Sequence, residues 1–184
     1  ATGHPALSPF YKYTPSLDAF KEVIRDKTST PADRGLLTRV LEEQYSALQT
    51  SDQVKANIEA LSQPGTFTVV TAHQPALFTG PLYYIYKILG TINLAETLQK
   101  AYPEYQFVPV FVSGSEDHDF EEINHAHLFG KTLKWETEAG GSTGFLSTQT
   151  LEVVLSQLEE LVQSSENGKR IFDEIKAAYT LHSY

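Results

Sequence analysis

The chain has 184 residues, 41% of them hydrophobic and 20% charged, which is enough for one soluble domain of ordinary size. A formal net charge of −9 argues against a general nucleic-acid binder, because neutralising phosphates needs clustered Lys and Arg. With no cysteine there is no disulfide frame, thiolate metal site or cysteine nucleophile, and no apolar run has the length of a membrane span. No signal-peptide pattern opens the chain, so the expected setting is cytoplasmic, with no membrane partner. The start at Ala1, the absence of methionine and the end at Leu181-His182-Ser183-Tyr184 read as a fragment of a longer protein.

In chain order, residues 1–15 hold three prolines and several aromatics and predict an extended arm. Ser16 can cap a helix running to Lys27, with Leu17, Phe20, Val23 and Ile24 on one face. Thr30 followed by Pro31 predicts the start of a second helix, and Leu36, Leu37, Val40, Leu41, Tyr45 and Leu48 supply its apolar stripe. Ser51 or Asp52 opens a third helix, which Pro64-Gly65 ends. The expected organisation is therefore a helical lead over residues 1–65, packing on a core that occupies residues 66–184.

That core opens with the apolar, β-branched run Phe67, Val69, Val70 and Thr71. The loop His73-Gln74-Pro75-Ala76-Leu77-Phe78-Thr79-Gly80-Pro81 follows, then a helix from Leu82 to Lys100 and a second strand, Phe107–Val112. A strand, helix, strand order predicts a parallel pair whose loops leave the carboxyl ends of the strands, the edge where open α/β sheets bind ligands. After Asn124, alternation around Gly130-Lys131 predicts a hairpin through Ala126, Leu128, Leu133 and Trp135. Residues 139–144 read as a flexible turn without a Walker signature. Thr150 is expected to cap the next helix, Asn167-Gly168 to break it, and a last helix to carry Ile171, Phe172, Ile175 and Tyr179.

The two loops hold the candidate chemistry. Pro81 suits a first helical turn, with Gly80 or Thr79 as the cap. Backbone N–H groups there favour an anion, and Gly80 lets a ligand come close. His73 and Gln74 sit at the strand tip, and Lys87 can lean back toward it beside Tyr83 and Tyr84. Pro and Gly are also ordinary strand-to-helix punctuation, the tyrosines are also core material, and Lys87 can equally be solvated. The second loop, Ser115-Glu116-Asp117-His118-Asp119-Phe120-Glu121-Glu122-Ile123-Asn124, packs five carboxylates around a histidine. Such a cluster suits an amine or acid–base work, although Asp119 and Glu122 also have the spacing of a capping box and an acidic run is often a solvated face. His125 and His127 share a strand face, which leaves open a metal-dependent hydrolase with His118. No H-E-x-x-H spacing supports it, and no metal site is expected.

The stretch T-A-H-Q-P-A-L-F-T-G-P-L-Y-Y-I-Y-K, followed by V-P-V-F-V-S-G-S-E-D-H-D-F-E-E-I-N-H, resembles the bacillithiol biosynthesis cysteine-adding enzymes, the BshC family. The resemblance extends more weakly over all 184 residues and reaches only the N-terminal portion of family members, which are much longer. It implies a partial Rossmann-like α/β core, related to class I aminoacyl-tRNA synthetases and nucleotidyltransferases, with the start of an inserted connecting segment. A coiled coil is implied later in the full-length protein, with a homodimer formed through that later part.

The implied activity is ligation of cysteine, through its carboxyl, to the amine of glucosaminyl malate, with ATP, and Mg with it, activating the carboxylate. His73 stands where class I folds carry their first signature histidine, but the tetrapeptide H-I-G-H is absent, as is the later lysine-rich signature loop. The expected catalytic residues are His73, Asp117 and His118. The expected substrate or nucleotide contacts are Gln74, Thr79, Gly80, Tyr83, Lys87, Ser115, Glu116, Asp119 and Asn124. His73, Thr79 and the Gly80 N–H are expected to face Glu116, Asp117 and His118 across one cleft. The alternative to an enzyme is a non-catalytic nucleotide or small-molecule binding module.

Overall fold

The computed structural model describes residues 4–180; residues 1–3 and 181–184, which carry the expected fragment ends, lie outside the described residues. The expected extended arm is instead a 3-10 helix over Pro5–Phe10, where the prolines fix φ and His4 Nδ1 accepts the Ala6 N–H. Helix α1 is Phe20–Thr28, shorter than the expected Ser16–Lys27. Ser16 caps only a preceding turn, accepting the Ala19 N–H. Helix α2, Arg34–Tyr45, is capped by the Asp33 carboxylate on the Leu36 N–H, not by Thr30-Pro31. A carboxylate is the stronger N-cap beside a helix dipole, which places the start three residues later than the Thr-Pro signal. Helix α3, Asp52–Ala60, starts at Ser51 as expected.

Strands β1 (Thr66–His73) and β2 (Gln106–Ser113) lie side by side, linked by helix α4 (Leu82–Ala101). Gln106 N–H bonds Gly65 C=O at one end and Gly114 N–H bonds His73 C=O at the other, so the strands run parallel. Burial alternates along β1, and His73 continues the half-buried face of Phe67, Val69 and Thr71. A single helical turn, α5 (Phe120–Ile123), then leads into the antiparallel hairpin β3 (His125–Leu128) and β4 (Lys131–Lys134), paired His125 to Lys134 and Leu128 to Lys131. Helices α6 (Glu152–Val162) and α7 (Glu166–Thr180) close the chain. Asn167 and Gly168 sit in the first turn of α7 and do not break the helix pair; the break falls at 163–165. Thr150 does not cap α6: its hydroxyl accepts the Trp135 indole N–H at 2.7 Å.

Contacts separate two compact units along a line other than residue 65. The first unit runs up to Val70 and includes Gly90–Val110. Ile24, Ala95, Leu98 and Phe107 form its main core, with Phe20, Phe67 and Tyr105 against them. The helical lead thus shares a core with the first half of β1 and the second half of α4, because these segments carry the apolar residues its stripes need. The second unit comprises Thr71–Leu89 and everything from Phe111 onward. Its core gathers Leu77 and Phe78 of the first loop with Ala126 and Leu133 of the hairpin, Trp135, and Val154 and Leu158 of α6. No helix among the described residues is long and apolar enough to cross a membrane.

Candidate functional site

The second unit holds a cleft of about 600 Å3 at the carboxyl end of β1. His73, Gln74 and Tyr83 form one wall, and Glu121, Glu122, His125 and His127 the other. The first wall owes its shape to an unusual backbone. Phe78, Thr79 and Gly80 have φ values of 51°, 70° and 59° in succession. Left-handed conformations at two non-glycine residues cost on the order of 1–3 kcal/mol each and persist only where surroundings fix them. Here the fixing is visible: Phe78 is buried, its N–H donates to the Tyr179 hydroxyl at 3.0 Å, and its ring meets Tyr179 edge-on at 5.8 Å. Gly80 combines φ 59° with ψ −146°, and a Cβ there would stand 2.7 Å from Ala76 Cβ. Only glycine fits both restrictions.

That turn corrects the expected anion site. Thr79 N–H donates to Ala76 C=O and Gly80 N–H to Leu77 C=O, so both amides are spent inside the loop. Lys87 Nζ donates to the Ala72 carbonyl and does not line the cleft. Thr79 is exposed and also lies off the cleft. The cleft wall carries carboxylates and imidazoles with no lysine or arginine, so it suits an amine and not a zwitterion.

His73 is held on both nitrogens. Nδ1 lies 3.0 Å from Gln74 C=O, which can only accept, so Nδ1 carries the proton of the neutral ring. Nε2 then accepts from the Tyr83 hydroxyl at 2.9 Å, and the rings of Tyr83 and Tyr84 pack at 5.3 and 5.2 Å. Gln74 acts as a clamp: its single amide nitrogen donates to Asp117 Oδ2 at 2.8 Å and Glu122 Oε2 at 2.9 Å. Asp117 also accepts the Asp119 N–H at 3.0 Å. That backbone donor first, then the Gln74 amide, holds the Asp117 carboxyl below the usual carboxylate range.

The acidic loop therefore meets the first loop through Gln74, but Glu116, Asp117 and His118 do not form the facing wall. Glu116 and His118 are exposed and outside the cleft. Asp119 caps α5, accepting the Glu122 N–H at 3.3 Å, while the Glu122 carboxylate goes to Gln74 in place of closing a capping box. Asn124 is 1% exposed and out of reach of a ligand.

Ser115 serves through its backbone. Its carbonyl accepts from the Gly144 N–H at 2.8 Å and the Ser142 hydroxyl at 2.5 Å, and Asp117 C=O accepts the Thr143 N–H at 2.7 Å. The glycine-rich segment expected to be a flexible turn thus fastens the acidic loop. Gly144 has to be glycine there, because a Cβ would stand 2.5 Å from Ser115 Cβ. Residues 142–144 carried no sequence signal for this, since their bonds go to the backbone of residues distant in sequence.

The facing wall comes from β3, where residues i and i+2 share a face. His125 and His127 rings stand 5.2 Å apart. The histidine set of a metal-dependent hydrolase is not assembled, since His118 stays outside the cleft and no group of three potential ligands among the described residues could hold a metal ion. A second, apolar cavity of about 310 Å3, between Phe20, Ile24, Phe67 and Leu98, belongs to the first unit and carries no comparable chemistry.

The chain is similar to several known proteins. A protein from Flavobacterium psychrophilum named "Putative cysteine ligase BshC" is 41% identical over 182 residues, covering 97% of this chain and 34% of its own length. Proteins of the same name from Christiangramia forsetii and Salinibacter ruber are 42% and 36% identical over 182 and 159 residues. The chain covers 34% and 28% of them, so it spans about a third of the length of the curated relatives it matches. The family model for the bacillithiol biosynthesis BshC N-terminal Rossmann-like domain matches residues 1–184, and the chain belongs to that family.

Proposed function

We propose that this chain is the Rossmann-like part of a ligase that joins the carboxyl of cysteine to the amine of glucosaminyl malate in bacillithiol synthesis, and that its cleft receives the amine. The observation that carries this reading is the cleft's second wall, where Glu121 and Glu122 stand beside His125 and His127; Lys134 reaches Glu121 at 3.3 Å, while Glu122 has no cation partner among the described residues. Carboxylates attract an ammonium group, and an imidazole can take its proton near neutral pH. His73, held by Gln74 C=O and Tyr83, is the fixed polar anchor of the opposite wall.

ATP, with Mg, is the proposed source of carboxylate activation in the whole enzyme. The donors expected for its phosphates in this chain, the Gly80 N–H and Lys87, are engaged with Leu77 and Ala72 carbonyls. These residues do not fit a triphosphate as they stand. The proposal extends to a cytoplasmic homodimer whose coiled coil lies in the part of the relatives' length that this chain does not span.

The test is an assay of the complete protein with cysteine, ATP and glucosaminyl malate. Bacillithiol should form, and replacing Tyr83 by Phe should slow it by loosening His73. No product, under conditions where a verified relative makes it, ends the proposal. A complete protein that binds glucosaminyl malate without turning it over marks a non-catalytic binding module.

A further inference from the structure

Three histidines line the cleft, and their second nitrogens distinguish them. His73 Nε2 is occupied by Tyr83. His127 Nδ1 lies 2.9 Å from the Thr132 hydroxyl, which can donate or accept and so fixes no tautomer; this ring is exposed. His125 is half-buried, and its Nδ1 lies 3.1 Å from Asn124 Oδ1, an oxygen that can only accept. The proton of the neutral ring is therefore on Nδ1, and Nε2 keeps its lone pair with no partner among the described residues.

Asn124 shows that this bond matters. Its backbone is fixed on both sides, donating to Phe120 C=O at 3.0 Å and accepting from Trp135 N–H at 2.7 Å. Its side chain is buried, with Nδ2 unpaired. A buried donor without a partner is unfavourable, and an apolar side chain of the same shape avoids that cost. The one bond the amide makes is to His125.

We propose that His125 Nε2 is the proton acceptor for the primary amine consumed by the ligation, with Asn124 as the positioning residue that fixes its tautomer. This rests on the amine-binding reading above. Glu122 on α5 supplies the counter-charge, with Glu121 beside it, and His73 from β1, Tyr83 from α4 and His127 from β3 lie around the same space. Lys134 of β4, paired opposite His125, is turned to Glu121 at 3.3 Å. In the step, the ammonium gives one proton to His125 Nε2. The freed nitrogen pair forms a C–N bond to the carboxyl carbon of an acyl donor bearing a phosphate-type leaving group. The carbon–oxygen bond to that group breaks, its electron pair departs with the oxygen, and the second proton passes from nitrogen to water as the amide forms.

The first arm uses this chain, with imidazole nitrogen shifts read by long-range proton–nitrogen NMR. His125 should be the Nδ1–H tautomer, and Asn124→Leu should abolish that preference. D-glucosamine should move the His125 signals saturably while N-acetylglucosamine, its amine neutralised, does not, and Glu122→Gln should weaken glucosamine about tenfold. A His125 held as the Nε2–H tautomer, or equal response to both sugars, overturns the assignment. The second arm uses the complete protein and needs no buried substitution. His125→Gln should lower kcat at least a hundredfold with KM within about threefold, and remove the acidic limb of the pH profile. Unchanged kcat in His125→Gln beside an active wild type overturns the role of His125 alone. An inactive wild type overturns the ligase reading and leaves the glucosamine result to stand or fall by itself.

Discussion

The two ends of β1 use polar groups in opposite ways. At the amino end, Arg34 donates to the carbonyls of Leu61, Pro64 and Thr66, and the Thr66 hydroxyl donates to Ala60 C=O at 2.6 Å. The side-chain donors there are spent on holding α3 to the strand. At the carboxyl end the backbone is bent through three positive φ values, and the side chains leave capacity over: His125 and His127 each use one ring nitrogen. The saturated end maintains the fold, and the unsaturated end is where the proposed amine would complete the bonding. Substitutions should separate the two.

The largest effect should come from Gly80. Valine there must take a conformation close to glycine-only and push its Cβ into Ala76. Strain and overpacking together should cost about 2–4 kcal/mol, read as a lowered urea midpoint. A loss below half a kcal/mol would show that the loop relaxes freely and that its shape is not maintained by packing. Next is Arg34→Met, which keeps the apolar stem but removes the donors to three carbonyls at the saturated end. A loss of about 2–3 kcal/mol is expected, with glucosamine binding unchanged. If binding falls with stability, the two ends do not divide the work as described. Gly144→Ala should come third, at about 1–2 kcal/mol, because Ser115 must yield to the new methyl group. Its signature is displaced amide resonances for Ser115 and Asp117.

How much of this was legible depended on the range of the interaction. Periodicity and short apolar runs place β1, α4, β2 and the hairpin, because amphipathic spacing is a local property. The helix starts at Ser51 and Asp119 were legible for the same reason. Asp33 was missed because Thr30-Pro31 carries the louder local signal, and a neighbouring carboxylate overrode it. In the site, the motif pair directs attention to the carboxyl edge of the strands, and His73, Gln74, Gly80 and Tyr83 line the cleft there. Nothing local revealed that the Gly80 N–H closes its own turn, or that Glu121, Glu122, His125 and His127 supply the opposite wall. The first of these depends on a left-handed turn stabilised by Tyr179, 101 residues away in sequence. The fastening of Ser115 by residues 142–144 was illegible for a related reason: its acceptors are backbone carbonyls, which every residue has.

The smallest effects should appear in acid, at one carboxylate from each region. Asp26 is held down to about 2 by the Lys12 ammonium first and the Tyr13 hydroxyl second. Asp117 is held below its ordinary value by the Asp119 N–H first and the Gln74 amide second. For a depressed carboxylate the unfolded chain binds more protons than the folded one between the two pKa values. The contribution to stability is therefore complete above the ordinary carboxylate pKa of about 4, and it is lost as pH falls through the folded value. Both groups are partly exposed to solvent, so the shift of the titration curve is the quantity to measure, by carboxyl carbon NMR. Lys12→Gln should raise the Asp26 midpoint, since it removes the leading cause. Gln74→Leu should raise the Asp117 midpoint by less, because the Asp119 N–H stays, while also freeing Glu122. An Asp117 midpoint unmoved by Gln74→Leu would mean that the clamp seen between the loops is not maintained in solution. The cleft wall formed by Glu122 would then lose its support, whereas the Asp26 cluster would be untouched.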